Sequence, residues 1–196
     1  MAEKKADFEY YDPITTGDST LSSVVQSIIA AEVGYHDLAL RYFLASLYVD
    51  LADRHSNTAD GVHIASTAGV WSALANGFGG FRDLGDGRWT FDPRLPDGWD
   101  SIVFRLTRRG TRIRVTVRSA EIEFVIEDGD GPVPLAVRGH EVVVTVAAPV
   151  TVPLDGQGPR LEGAPPSSAG QIRSDGTVIS AIVPSGDQVP VQERVT

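Results

Sequence analysis

Two places in the sequence put oxyanion-binding side chains at the start of a helical pattern: Ser19-Thr20, and His63. Hydroxyls and a protonated imidazole donate hydrogen bonds, and a helix N-terminus adds unsatisfied N–H groups and a positive partial charge. If the two helix starts face one cavity, Ser19, Thr20 and His63 could hold an oxyanion between them. Each string also has a purely structural reading. Asp18, Ser19 or Thr20 ahead of an apolar run is the pattern of an N-cap, and a histidine before a helix is often a hydrogen-bonded structural residue. The readings are compatible, since Asp18 can cap the helix while its neighbours face a ligand. Glu32, Asp50, Asp53 and Asp60 lie on helical patterns or their flanks, and none has a context that marks it as a general acid. His36, His55 and His140 lack a partner pattern and read as surface residues. Trp71, Trp89 and Trp99 read as core or interdomain packing. The chain has no cysteine, so disulfides and thiolate metal sites are excluded, and no metal site is expected.

Three segments of different period must position these residues. Up to about Gly80 the pattern is helical. Leu21, Val24, Val25, Ile28, Ile29 and Val33 fall on one face and Gly34 supplies the stop; Leu40, Phe43, Leu44, Leu47, Tyr48 and Leu51 mark a second helix from Asp37 to about Asp53. Ile64, Ala68, Trp71, Ala75 and Phe78 mark a third, ended by Gly79-Gly80, and its small residues would let a neighbour approach closely. From Phe81 the period falls to two: Ile102, Phe104, Leu106, then Ile113, Val115, Val117, then Ile122, Phe124, Ile126, and later Val142, Val144, Val146. Short alternating strands joined by Gly-rich turns predict an antiparallel β-sandwich, with Arg and Glu rows paired across its outer face. After Leu154 the breakers Gly156, Gly158, Pro159, Gly163, Pro165 and Pro166 predict a mostly disordered tail over 155–196.

A net charge of -9 across 196 residues, with no Lys/Arg stripe, argues against a nucleic-acid-binding surface. No apolar run approaches the length of a membrane helix and no apolar stretch follows Met1-Ala-Glu-Lys-Lys, so a cytoplasmic protein is expected.

Four strings in register carry a resemblance: Asp18-Ser-Thr-Leu-Ser22, Asn57-Thr-Ala-Asp-Gly-Val-His-Ile-Ala-Ser66, Gly77-Phe-Gly-Gly-Phe-Arg-Asp83, and Phe91-Asp-Pro-Arg-Leu-Pro96 followed by Trp99. In this order and spacing, over roughly residues 6 to 154, the sequence resembles the end of the catalytic domain and the C-terminal domain of glycoside hydrolase family 65. That family includes maltose, trehalose and kojibiose phosphorylases and some hydrolases. The resemblance implies an α+β chain: residues 1–80 as the last helices of an (α/α)6 catalytic barrel, 81–154 as a jelly-roll-like antiparallel domain, and 155–196 as the tail.

The chemistry it implies is inverting phosphorolysis of an α-glucoside, in which a glutamic acid protonates the leaving oxygen and phosphate attacks from the opposite face. Similarity to the family places the phosphate pocket on Ser19, Thr20 and His63, with Ser66 as a further candidate. Phosphate is then a co-substrate and no cofactor is expected. The family's general acid lies upstream of anything in this sequence, and a barrel of six helix pairs needs far more than the three helices read here. The expectation is therefore a chain inactive alone, which a separately encoded N-terminal part could complete, with apolar helix flanks left without neighbours. A hydrolase using water, of trehalase or maltase type, and a non-catalytic carbohydrate-binding or interaction module stay open as alternatives.

Overall fold

The computed structural model describes residues 1–179 except Asp18, Asp86 and Ser167. It divides into two compact units. One comprises Met1–Ala73 with the chain from Leu161 onward, and the other Leu74–Arg160. The architecture is mixed helix and sheet, as expected from the change of period.

The helical unit contains α1 (Ala2–Tyr11), α2 (Ser22–Val33), α3 (His36–Leu47) and α4 (Ile64–Ser72). Helix α2 turns its Val24, Ser27, Ala30, Ala31 and Val33 inward. The small residues bring α3 close enough for Ser27 Oγ to donate to the Ala39 carbonyl at 2.9 Å. Gly34, at φ 112°, closes α2 by returning its N–H to Ala30 O, a left-handed cap that a side chain would strain. On α4, Gly69 lies where an added Cβ would come within 2.5 Å of Val24, so the small-residue face does admit a neighbour.

Three details of this unit differ from the sequence reading. Helix α1 has no apolar stripe to announce it, since Phe8 is its one buried residue. Helix α3 ends at Leu47 rather than near Asp53. The chain then winds through turns in which Asp53 takes φ 44° and its carboxylate accepts hydrogen bonds from the Thr58 N–H and Oγ1. His36, read as a surface residue, is buried at 6% exposure, because the tight Gly34-Tyr35 link tucks the first turn of α3 inward.

A π-helical turn, Ala73–Phe78, follows α4 in the chain and leads into the second unit, which begins at Leu74. Its carbonyl at Leu74 accepts from Gly79 N–H at 2.7 Å, the wider five-residue spacing that α-periodicity cannot signal. Eight strands follow: β1 (Phe81–Asp83), β2 (Trp89–Phe91), β3 (Ser101–Arg108), β4 (Thr111–Arg118), β5 (Glu121–Asp128), β6 (Val133–Val137), β7 (His140–Val144) and β8 (Val150–Pro153). They form two four-stranded sheets, ordered β1-β2-β6-β7 and β3-β4-β5-β8. All described ladders are antiparallel except β2–β6, which is parallel.

The alternation is clean in β3, whose Ile102, Phe104 and Leu106 face in while Val103 and Arg105 face out. Phe91 of one sheet meets Phe124 of the other edge-on, ring centroids 4.9 Å apart, both almost fully buried. On the outer face the Arg and Glu rows do meet: Glu127 lies within ion-pair distance of Arg105, Arg112 and Arg114. Gly80, at φ 63°, is packed so tightly on the Asp92 backbone that no Cβ fits. Asp92 in turn receives Arg94 through both guanidinium nitrogens and Arg138 at 2.9 Å.

Residues 155–179 have little regular structure and several specific anchors. Gln157 Oε1 accepts from Leu95 N–H, Arg160 pairs with Asp97, Leu161 N–H donates to Gly34 O, and Ile172 bridges Val178. Residues 180–196, including most of the β-like run at 178–183, lie outside the described residues.

Candidate functional site

The four site residues expected from sequence all fall in the helical unit, on two segments that touch. The Ser66 hydroxyl donates to the Thr20 carbonyl at 3.2 Å, which ties the loop entering α2 to the first turn of α4. Ser66 itself is almost fully buried, at 1% exposure, so its proton is committed to holding that loop. Ser19 is exposed and its Oγ accepts from Leu21 N–H at 3.2 Å, a local turn that braces the loop. Helix α2 begins at Ser22, so Ser19 and Thr20 stand in the turn before the helix rather than within it. Whether Asp18 caps α2 lies outside the described residues.

His63 is the residue immediately ahead of α4 and is fixed more firmly than its neighbours. Its backbone N–H donates to Asp50 Oδ2 at 2.9 Å, and its ring Nδ1 lies 2.6 Å from Asp50 Oδ1. The Asn57 side-chain amide lies 3.4 Å from Nε2, and the His55 ring centroid is 6.4 Å away. The hydrogen bond from His63 holds the Asp50 carboxyl below the usual carboxylate range, against the opposing effect of its partial desolvation. Asp50 therefore belongs to the site geometry. Sequence reading noted it only as an unassigned carboxylate, because a separation of 13 residues matches no helical or strand period.

A groove of about 560 Å³ lies alongside, between α1 and α2, lined by Lys4, Phe8, Tyr11, Asp12, Ser19 and Val25 among others. Of the four expected residues only Ser19 reaches it. At its floor Asp12 is buried and accepts from Gln26 Nε2 at 2.8 Å and from Tyr42 Oη at 3.0 Å. Desolvation raises the Asp12 carboxyl pKa, and those two hydrogen bonds oppose the rise only in part. Burial also pushes the Tyr42 phenol up, so it stays a donor.

Hydrogen bonds join Ser66 to the Thr20 backbone and His63 to Asp50; hydroxyls and an imidazole of this kind are chemically able to hydrogen-bond an anion. Among the described residues no group of three or more His, Asp or Glu could hold a metal ion. No helix there is long and apolar enough to cross a membrane.

Comparison with known proteins bears on the same segments. Residues 1–72 match the glycosyl hydrolase family 65 central catalytic domain, and residues 81–144 match the family's C-terminal domain. An alpha,alpha-trehalose phosphorylase of Thermoanaerobacter brockii is 42% identical over 128 residues, covering 65% of this chain and 16% of that protein. A maltose phosphorylase of Bacillus subtilis is 35% identical over 146 residues, 74% of this chain and 19% of its own length. A kojibiose phosphorylase of Caldanaerobacter subterraneus subsp. tengcongensis is 33% identical, over 72% of this chain and 18% of its own length. Among solved structures, a candidate kojibiose phosphorylase from the human microbiome superposes with a TM-score of 0.71 at 25% identity, covering 78% of this chain and 21% of that one. The chain thus spans about a fifth of the length of the relatives it matches. With both domain matches in sequence order and these relatives aligned across them, the chain belongs to glycosyl hydrolase family 65.

Proposed function

We propose that this chain is the C-terminal part of an inverting disaccharide phosphorylase acting on an α-glucoside, and that it supplies the phosphate-binding side of the active site. The observation that carries this reading is the Ser66–Thr20 contact, which brings the loop before α2 against the start of α4. Phosphate would meet the Ser19 and Thr20 hydroxyls and His63, with Ser66 latching the loop. The N-terminus of α4 would add its positive partial charge.

In an inverting reaction the attacking oxygen comes from the face opposite the leaving group, so phosphate and acid act from different sides of the sugar. A glutamic acid outside this chain protonates the leaving oxygen, and the anion side held here aims the nucleophile. Phosphate is a co-substrate and no cofactor takes part. The helices belong to an (α/α)6 barrel ending near residue 80, and the sheets form a jelly-roll-like domain over 81–154. Further barrel helices pack on this unit, whether from the same polypeptide or from a separately encoded N-terminal part, and the apolar side chains of Tyr11, Leu21, Val25 and Trp71, which are exposed here, support this. The setting is the cytoplasm.

The test has two arms. The purified chain, incubated with maltose, trehalose or kojibiose and phosphate, should release no glucose 1-phosphate; release by this chain alone would refute the division of labour. In a phosphorus NMR titration it should broaden the inorganic phosphate line, and Ser19→Ala with His63→Gln should abolish that broadening.

A further inference from the structure

We infer that Asp50 is the positioning residue for His63, fixing its imidazole with the proton on Nδ1 and leaving Nε2 as the ring edge that meets the anion. This rests on the phosphate-binding reading above for the identity of the anion, but not for the geometry.

Asp50 grips His63 twice, at the backbone N–H and at the ring, with its two oxygens at 2.9 Å and 2.6 Å. An ionised carboxylate can only accept hydrogen bonds, so the ring nitrogen facing it must carry a proton. Two contacts from one carboxylate fix both the main chain and the ring plane, which a lone N-cap contact would leave free to turn. Asn57 faces the other nitrogen at 3.4 Å, the outer limit of a hydrogen bond, and its Oδ1 is buried without a hydrogen-bond partner. A turn of that amide would bring Oδ1 toward Nε2, so Asn57 tolerates this nitrogen with or without a proton.

The turns that follow α3 brace the approach to α4 at two points. Asp50 secures His63, while Asp53 secures Thr58 through its N–H and hydroxyl. A neutral ring protonated at Nδ1 accepts at Nε2, so the partner it suits is a phosphate that carries a proton, whose O–H donates to that nitrogen.

The experiment uses the full chain with nitrogen-15-labelled histidine and two-bond proton–nitrogen NMR spectra, which report which ring nitrogen is protonated. In the parent chain at neutral pH, His63 should show the Nδ1–H form. Asp50→Asn should reverse it. Its carbonyl stays on the His63 N–H, its amide turns toward Nδ1, and the ring must then carry its proton on Nε2. Asp53→Asn, which disturbs the same loop at Thr58, should leave the tautomer as it was. Inorganic phosphate affinity should change about tenfold in Asp50→Asn, because the ring edge facing the anion then turns from acceptor to donor. An Nε2–H form in the parent chain, a tautomer unchanged in Asp50→Asn, or equal phosphate affinity in the two would overturn the assignment. A parent chain that shows Nδ1–H but binds no phosphate would sink the phosphate reading and leave the role of Asp50 standing.

Discussion

Beside its apolar core the helical unit buries a larger set of polar side chains than the sheet unit does, and it leaves several large apolar ones outside. Asp12, Gln26, Ser27, His36, Ser46 and Ser66 are all buried among the helices, while Tyr11, Leu21, Val25, Ile64 and Trp71 are exposed. In the sheets Phe91, Ile113, Val115, Ile122, Phe124 and Leu135 are almost wholly inside, and the charged rows pair at the surface. The sheet unit has a core held by apolar burial between its two sheets. The helical unit holds its interior with specific hydrogen bonds and keeps apolar area on its surface, as expected for part of a larger assembly.

The contrast breaks most decisively at Phe124. Phe124→Ala should cost about 3–5 kcal/mol, because it removes a buried ring and leaves a cavity against Phe91. Chemical denaturation followed by fluorescence of Trp89 and Trp99, both in the sheet unit, would measure it. A loss below 1 kcal/mol, well under the usual range for such a site, would mean the two sheets do not share a core.

A smaller effect sharpens the comparison through pH. Asp92 is buried in part, yet the guanidinium groups of Arg94 and Arg138 outweigh that desolvation and hold its carboxyl below the usual range. Its contribution is therefore present above the ordinary carboxylate pKa and lost as pH falls through the depressed one. Asp12 is raised by desolvation, so its contribution is present below the ordinary value and lost as pH climbs through the raised one. Thermal melts between about pH 3 and about pH 7 should then give opposite slopes for two variants relative to the parent chain. Asp92→Asn should be most damaging near neutrality and nearly silent in acid, whereas the stability of Asp12→Asn relative to the parent should improve as pH rises. Parallel slopes would contradict the assignment.

The smallest effect is at Val25, exposed at 54% on the groove. Val25→Ser should leave the denaturation midpoint within experimental scatter while reducing self-association in analytical ultracentrifugation. A large fall in the midpoint would show that Val25 already packs on something within the chain.

Both units were legible in the sequence where burial follows a simple period. The strands β3, β4 and β5 show this, and the strings at 19–20 and 63–66 pointed to segments that do touch. For α2 and α3 the apolar recurrence announced the helices but not the faces they bury: of the expected stripes Val24, Val33 and Phe43 are buried, Leu21, Val25 and Leu51 are exposed, and the inward faces carry Ser27, Ala30, Ala31, Leu38, Ala39 and Tyr42 instead. Elements without such a repeat escaped. Helix α1 buries a single residue, and the wide turn at Ala73–Phe78 follows a spacing that apolar residues do not mark. Strands β1 and β2 are three residues long, and β6 and β8 each contain a proline, which demotes a strand in any pattern reading. The parallel β2–β6 pair joins segments more than 40 residues apart, and nothing local announces it. At the site, the hydroxyls and imidazole could be recognised by type and position. Asp50 could not, because its importance comes from the chain folding back between α3 and α4.

The carbonyl of Gly34, at the reversal between α2 and α3, accepts from His36 N–H and also from Leu161 N–H, at 2.8 Å. The helical unit is thus discontinuous: its first and last parts enclose the whole strand-bearing segment as an insertion. During synthesis the early helices must wait for the ribosome to finish all eight strands before this returning backbone amide can reach its acceptor. Closing so long a chain costs entropy that grows only slowly with its length, so the delay is chiefly one of order. Early folding of the inserted segment would shorten the effective tether and hasten the return, coupling the maturation of the helical unit to the speed of its neighbour.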